Sequence, residues 1–381
     1  MRPLAILVLF CLVISPLTAT ANNGETKTIV FVAGNKSHGY GSHEHYAGCK
    51  LLATRLQQAM PGYKCVVYQN GWPKAKDAFD GAATVVMYAD GGGRHPANPN
   101  LKQVDALMAK GCGVVCIHYG VETTKGQNGE AFINWMGGYF EPHWSVNPHW
   151  TAEFKKLPNH PITQGVKPFK INDEWYYHMR FRENMKGVTP ILTAMPGPET
   201  LRRKDGAHSG NPHVRAAVLD RKEEQHVAWC SENENGSRGF GFTGGHFHWN
   251  WGDPNFRKIV LNAIVWTSKG TVPKNGVADK PVSLEDLESN QDYQAPGNFN
   301  RDEIRKRLNL PSSDKKAGRM QKGPKPIFTS KVITPKTKGH AVQIDVDISD
   351  AQNLYLVAHD GGNGYSCDWA AWVNPKLVGE K

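Results

Sequence analysis

Several common enzyme motifs are missing from this chain of 381 residues. It has no G-x-x-x-x-G-K-[ST] phosphate loop, and no G-x-G-x-x-G follows the first apolar segment, which argues against nucleotide or dinucleotide binding. There is no G-x-S-x-G elbow, so a serine hydrolase of that type is not indicated. H-E-x-x-H and C-x-x-C are also missing, which removes the commonest zinc-site patterns.

A long hydrophobic run is lacking too. The longest candidate, Leu4 to Leu17, follows Arg2 and precedes an A-x-A cleavage pattern at residues 19–21. That stretch is too short for a confident membrane span, and its flanks are typical of a signal peptide. We therefore expect residues 1–21 to be removed and the mature protein to be exported, periplasmic or extracellular, with no transmembrane anchor.

Cysteine is scarce, with seven residues, of which Cys11 would leave with the signal. The remaining spacing is irregular, and Cys112 and Cys116 lie on or beside one strand, where their side chains diverge. We predict that most of them are buried as small apolar side chains.

The net charge is +10, but much of the excess falls between Arg301 and Lys338, in a Pro/Lys-rich stretch. Such a distribution favours a solvated linker over a nucleic-acid surface. We predict a main domain over residues 22–270, a linker over 271–339 and a short β-rich tail over 340–381, with no nucleic-acid partner.

The main domain shows the pattern of an α/β layer fold with a mainly parallel sheet. Residues 28–34 form an apolar run closed by glycine, typical of a buried parallel strand. Helical spacing follows from Cys49 to Met60 and again from Leu101 to Met108. Further strands are predicted at residues 63–68, 84–88, 113–118, 150–154, 188–194, 214–219 and 226–230.

A closing helix has clear start signals. Asp253 can cap its first turn, Pro254 suits the first helical position, and apolar residues then recur on one face. Gly270 is expected to end it.

Histidines are abundant, with 16 in the chain, and several follow predicted strands. Because the carboxyl ends of parallel strands meet at one edge of a sheet, these side chains are expected to converge on one crevice. A histidine cluster suits proton transfer near neutral pH or metal binding through neutral imidazole. The candidates are His38, His43, His95, His118, His246 and His248.

Carboxylates near these histidines are fewer. Asp173, Glu174 and His178 lie in one six-residue stretch with three aromatic residues, and Glu44 stands beside His43. Dense aromatics beside polar groups suit a sugar pocket. The other loop histidines, such as His149 and His208, are interpreted as surface or structural residues. A divalent metal stays open, because one sequence cannot show which loops would supply its ligands.

The chain resembles the ThuA-like (trehalose utilisation) proteins in the segments 30–34 with Ser37-His38, 113–118, Asp173-Glu174 and 238–246. This family is similar to the class I glutamine amidotransferases, which implies a flavodoxin-like three-layer sandwich. The tail, from Ile344 to Trp372, resembles the end of an NPCBM-type carbohydrate-associated module.

The resemblance places His118 where the amidotransferases carry their cysteine nucleophile. Their H-x-E pair falls on His246 and His248, or on His248 and Asn250, so its glutamate is not kept. Glutaminase activity is therefore not expected. Membership of the family implies a carbohydrate substrate of the trehalose type, including keto derivatives.

These observations predict an exported sugar-active enzyme that uses histidine acid/base chemistry on a disaccharide, glycoside or keto-glycoside. His118, His246 and Glu174 are the predicted catalytic residues. The predicted substrate contacts are His38, His43, Glu44, His95, Asp173, His178 and His248. Two alternatives stay open: a non-catalytic carbohydrate-binding or scaffold protein, and a metal-dependent hydrolase.

Overall fold

A computed structural model describes residues 26–310, 328 and 342–347. Its centre is a seven-stranded sheet in the order β2-β1-β3-β4-β11-β10-β9, in which β2 to β11 run parallel and β10 and β9 are antiparallel additions. Two small antiparallel pairs, β5-β8 and β6-β7, lie outside it. The strands are β1 (Lys27–Ala33), β2 (Tyr63–Tyr68), β3 (Ala82–Tyr88), β4 (Gly113–Ile117), β5 (Gly138–Tyr139), β6 (Trp150–Phe154), β7 (Phe169–Asp173), β8 (Arg180–Phe181), β9 (Val188–Ala194), β10 (Gln225–Glu232) and β11 (Arg238–Phe242).

Helices cover both faces of the sheet, so the architecture is the predicted α/β three-layer sandwich. One apolar core packs α1 and α5 against one face, and a second core packs α2 and α3 against the other. Successive residues of β4 are buried on alternate faces, which explains its unbroken apolar run. The α-helices are α1 (His45–Ala59), α2 (Leu101–Ala109), α3 (Gln127–Met136), α4 (Pro212–Arg215), α5 (Pro254–Thr267), α6 (Leu284–Glu288) and α7 (Arg301–Leu308).

The closing helix begins as predicted. The side chain of Asp253 accepts hydrogen bonds from the backbone N–H groups of Asn255 and Phe256, and Pro254 occupies the first helical position. The helix ends at Thr267, three residues before Gly270. Its apolar face then covers the sheet beside β4 and β11, and so fixes that edge of the core.

The predicted strand at residues 214–219 is wrong. This stretch forms the end of α4 and a π-helical turn, Ala216–Asp220. Asn211 accepts a hydrogen bond from the backbone of Val214, and Pro212 follows it at the helix start. These two local start signals outweigh the weak strand preference of the apolar residues.

The first part of the predicted linker is packed instead of solvated. Residues 271–310 contain α6 and α7, and they bury apolar side chains against the main core: Val272, Val277, Val282, Leu284, Leu287 and Ile304. We call residues 284–292 the strap, because they run along the loops that carry His43 and His248.

The chain divides into two units, Met1–Pro311 and Ser312–Lys381. Residues 342–347, which lie in the predicted β-rich tail, have no regular secondary structure. The predicted signal peptide and most of the predicted tail lie outside the described residues. In the described part of the chain, no helix combines the length and the apolar character needed to cross a bilayer.

Candidate metal centre

Four side chains meet at the carboxyl edge of the parallel sheet. His43 lies in the loop after β1, His118 directly follows β4, Glu174 follows β7, and His246 follows β11. One ligand atom from each lies within 4.8 Å of those from the other three. His43 and His118 are 1% and 0% exposed, whereas the side chains of Glu174 and His246 are each 12% exposed. The cluster is thus buried but open on one side.

The four atoms form a closed ring of short contacts. His43 Nε2 lies 3.0 Å from His118 Nε2 and 3.1 Å from His246 Nδ1. Glu174 Oε2 lies 3.1 Å from His246 Nδ1 and 3.5 Å from His118 Nε2. Neighbouring ligand atoms around one cation, at bonds of about 2.0–2.2 Å, stand about 3.0–3.5 Å apart. The spacing therefore fits a divalent cation.

The outward-facing nitrogens fix the tautomers of two histidines. His118 Nδ1 donates to the carbonyl oxygen of Thr243 at 2.8 Å, and His43 Nδ1 donates to Asp90 Oδ1 at 3.1 Å. Both acceptors lack a proton, so both Nδ1 atoms carry one and both Nε2 atoms keep a lone pair. Two lone pairs then face each other at 3.0 Å. A proton or a metal ion between them removes this repulsion.

The surroundings of the ring favour a neutral His43 beside an ionised Glu174. Burial lowers the pKa of His43 far more than the hydrogen bond to Asp90 raises it. Burial acts to raise the pKa of Glu174, but its contacts with the imidazoles of His118, His149 and His246 outweigh burial and lower that pKa well below the ordinary range. The ligand forms of imidazole and carboxylate are these deprotonated ones.

The backbone is held in an unusual conformation at the cluster. His43 and His118 have φ of 51° and 54°, and His38, whose ring stacks on His43 at 3.6 Å between centroids, has φ of 56°. Left-handed φ is uncommon for residues other than glycine and is tolerated where surrounding contacts enforce it. At His118 it turns the side chain off the end of β4, into the crevice that the sequence predicted.

Asp173 anchors the loop that carries His246. Its carboxylate accepts hydrogen bonds from the backbone N–H groups of Gly245 at 2.8 Å and His246 at 3.0 Å, and from the side chain of Asn250 at 2.8 Å. Asp173 is 0% exposed. The structure therefore places it behind the cluster, where it positions His246, and not at a surface that substrate could reach.

Glu44 and His248 were predicted to contact substrate, but both face the strap. Glu44 accepts backbone hydrogen bonds from Gly41 at 3.0 Å and Asp292 at 2.6 Å. His248 Nε2 donates to the carbonyl oxygen of Leu287 at 2.8 Å. His246 and His248 do not lie on one face of a strand, because His248 begins a 3-10 helix.

His95 and His178 also lie apart from the ring. His95 is buried between the carbonyl oxygen of Gly120 and the backbone N–H of Ala97, at 3.1 Å from each. His178 Nδ1 donates to the carbonyl oxygen of Trp144 at 2.9 Å. Of the ten predicted site residues, the structure brings His38, His43, His118, Glu174 and His246 together.

Three contributors were not predicted from the sequence. Asp90 follows β3 and binds His43, the hydroxyl of Tyr176 lies 3.3 Å from both His118 Nε2 and Glu174 Oε2, and His149 Nε2 lies 3.6 Å from Glu174 Oε1. The sequence could have indicated Asp90, because it closely follows a predicted parallel strand, as His118 does. His149 and Tyr176 come from irregular segments whose course no periodicity indicates.

The fold and the site define a class: a three-layer α/β protein with a histidine-glutamate cluster at the carboxyl edge of its sheet. Residues 30–267 match the family model of ThuA, described as trehalose utilisation. The chain therefore belongs to the ThuA family. Residues 320–378 match the model of the NPCBM/NEW2 domain.

Solved structures of low sequence identity are similar over about two thirds of this chain. A ThuA-like protein from Bacteroides uniformis has a TM-score of 0.47 and 16% identity, with coverage of 67% of this chain and 98% of that one. A ThuA-like protein from Parabacteroides merdae has a TM-score of 0.43 and 15% identity, with coverage of 68% of this chain and 94% of that one. A glutamine amidotransferase from Thermotoga maritima has a TM-score of 0.35 and 6% identity, with coverage of 65% of this chain and 100% of that one. No curated protein matches the sequence.

Proposed function

We propose that this protein is an exported, metal-dependent enzyme of carbohydrate catabolism that acts on a disaccharide, glycoside or keto-glycoside. The main observation in favour of a metal is that His43 Nε2 and His118 Nε2 lie 3.0 Å apart with their lone pairs facing each other. His246 and Glu174 complete the donor set. Membership of the trehalose utilisation family and the NPCBM/NEW2 match support a sugar as substrate. The pattern of residues 1–21 supports export.

The donor set supports a cation with open coordination positions. Three imidazoles and a carboxylate suit zinc, iron, cobalt, nickel or manganese, and a shell of five or six ligands leaves room for oxygen atoms of a substrate. A cation held there would polarise a carbonyl or hydroxyl oxygen of the sugar. Exposed His38, stacked on His43, is in a position to contact sugar hydroxyls.

Metal-free acid/base chemistry by the same residues is the second candidate. The hydroxyl of Tyr176, Glu174 and His246 form a connected chain of contacts with His118, and protons can move along such a chain. The two candidates differ in one measurable property, the requirement for a bound metal.

The test combines metal analysis with a product search. The full mature chain is purified without chelator, its metal content is measured by mass spectrometry, and it is incubated with trehalose, other disaccharides and their 3-keto forms. Products are identified by mass spectrometry and NMR. We expect about one metal per chain, and turnover that chelation abolishes and the metal restores.

The variant His118→Ala/His246→Ala should lose both metal and turnover. His213→Ala, whose ring lies on α4 against Trp144, is the matched control and should keep both. Metal-free protein with full turnover would instead support the acid/base candidate. Folded, metal-loaded protein without any product would support a carbohydrate-binding role.

A further inference from the structure

A second polar pair lies beside the cluster and has no part in it. Glu122 comes four residues after His118, and its side chain is 3% exposed. His208, on the loop before α4, reaches it with Nε2 at 2.9 Å and 3.1 Å from the two carboxylate oxygens. The side chain of His208 is 38% exposed. A buried carboxylate thus holds a histidine that faces solvent.

Asn147 joins this pair to the metal centre. Its side-chain amide donates to Glu174 Oε1 at 3.1 Å, and its backbone N–H donates to the carbonyl oxygen of His208 at 3.0 Å. Arg203 donates to both Asn147 Oδ1, at 2.7 Å, and the carbonyl oxygen of His208, at 3.0 Å. The loop of His208 is therefore held at a fixed place next to the carboxylate of the cluster.

Aromatic contacts form a second connection between His208 and the candidate metal centre. Phe140 stacks on His208, with centroids 5.4 Å apart and planes 24° apart, and its ring also meets Tyr176 at 5.2 Å. The hydroxyl of Tyr176 in turn lies 3.3 Å from His118 Nε2. The ring of His208 is thereby oriented by two neighbours, the carboxylate of Glu122 and the ring of Phe140.

The tautomer of His208 follows from its partner. A carboxylate only accepts, so Nε2 carries the proton, and Nδ1 keeps its lone pair. Among the described residues, nothing hydrogen-bonds to that Nδ1. The hydrogen bond that His208 donates to Glu122 raises the pKa of His208, with a further contribution from the charge of Glu174. Carboxylate, imidazole and free nitrogen form the arrangement that general bases use.

We propose that His208 is the proton-transfer residue of the metal centre and that Glu122 orients it. This rests on the proposed function. His208 Nδ1 accepts the proton of a sugar hydroxyl: the O–H bond breaks, its electron pair stays on the oxygen, and an N–H bond forms. A cation held by the cluster would stabilise the negative charge on that oxygen. Glu122 balances the charge of the resulting imidazolium, and in the reverse step the N–H bond breaks and the proton returns to the same oxygen.

The first experiment separates this role from metal binding. His208→Gln and Glu122→Gln are compared with the control His213→Gln, an identical change of an exposed histidine. Cobalt(II) titration, followed by its visible spectrum, should give the same affinity in all three and in the wild type within about twofold, because none is a ligand. For the sugar that wild type converts, kcat should fall about 10²–10⁴-fold in His208→Gln, with KM changed far less.

A second readout needs no turnover. Diethyl pyrocarbonate modifies neutral imidazole nitrogens, and peptide mass spectrometry reads each site. Trehalose or its 3-keto form should slow the modification of His208 at least severalfold and leave His213 unchanged. Full turnover in His208→Gln, a parallel loss of cobalt affinity, or the same modification rate with and without sugar would overturn the proposal. Loss of cobalt binding in the wild type itself would count against the metal centre instead.

Discussion

At the scale of single residues, the cluster depends on the groups that hold its ligands from behind. Each of the two fully buried histidines uses one nitrogen for the ring of contacts and the other for a fixed acceptor: Thr243 for His118 and Asp90 for His43. Such partners orient a metal ligand and increase its basicity. Asp90 is also bound by Ser37 at 3.0 Å, so its own position is fixed.

Asp90→Asn should weaken metal binding about 10–100-fold without unfolding the protein. The amide keeps the size of the carboxylate, but it removes the negative charge that stabilises His43 as a ligand. Cobalt(II) or zinc titration measures the change. Asp80→Asn, which alters an exposed carboxylate, is the control and should bind as the wild type does. Equal affinity in Asp90→Asn would show that Asp90 does not support the ligand.

His95 allows a prediction of pH dependence that is separate from the cluster. Burial lowers its pKa from 6.5 to about 4, against a hydrogen bond to Gly120 that raises it. The unfolded chain therefore binds a proton more readily than the folded one. The stability that neutral His95 contributes is complete above pH 6.5 and is lost as the pH falls through 4, up to about 3 kcal/mol.

The measurement is the free energy of unfolding between pH 7 and pH 4. His95→Gln, which cannot titrate, should flatten the decline in that window, whatever its effect on absolute stability. His213→Gln, on the surface of α4, should leave the slope as it is. An unchanged slope in His95→Gln would mean that His95 does not stay neutral in the fold.

At the scale of elements, the sequence indicated most of the sheet and little of what surrounds it. Buried parallel strands such as β1 and β4 have apolar runs that are closed by turns, and these runs are visible in one sequence. The location of His118 at a strand end followed directly. The direction of a side chain in a loop does not follow from any periodicity, which is why His248 was assigned to the crevice and His149 to the surface.

The strap was missed for a related reason. The strap lies within the predicted linker, residues 271–339, which is rich in proline and charge, a composition typical of linkers. Its few apolar residues, such as Leu287, have no regular spacing, yet they fill the space beside His248. Packing of that kind is set by the shape of the partner surface, and local sequence carries little of it.

Glu44→Gln tests whether the strap supports the ligand loop. Burial raises the pKa of Glu44 to about 7, and its two oxygens accept separate backbone N–H groups, from Gly41 and Asp292. An amide offers one acceptor, so one of these N–H groups loses its bond to residue 44. The cost is about 0.5–1.5 kcal/mol, because the N–H of Gly41 also bonds to Gln291 at 3.1 Å. Thermal unfolding should show this loss, and cobalt titration should show weaker binding, because His43 directly precedes Glu44 in the chain.

Glu285→Gln is the control for that experiment, since its carboxylate is exposed on α6. It should change neither stability nor affinity. If Glu44→Gln leaves both unchanged as well, the strap does not transmit order to the loop of His43.

At the scale of the whole molecule, the sheet gathers residues that are far apart in sequence. His43 and His246 are 203 positions apart, yet their ring nitrogens lie 3.1 Å apart. The sheet order places β1, β3, β4 and β11 side by side, so their following loops have to share one edge. Folding therefore places imidazole lone pairs and a carboxylate close together, and their repulsion costs free energy. Part of this free-energy cost remains until a cation is bound.

Metal binding should consequently stabilise the entire main domain. A cation that binds only the folded chain adds about 2.7 kcal/mol when its concentration is 100 times its dissociation constant. For a domain of this size, such a gain raises the melting temperature by several degrees, at about 2–4 °C per kcal/mol. Calorimetry of chelator-treated full-length protein, with zinc, cobalt or manganese added back in a dilution series, measures the shift.

The shift should grow with the logarithm of free metal and should vanish in His118→Ala/His246→Ala, whereas His213→Ala should behave as the wild type. An equal shift in the double variant would place the bound metal elsewhere in the protein, and no shift in the wild type would remove the metal centre.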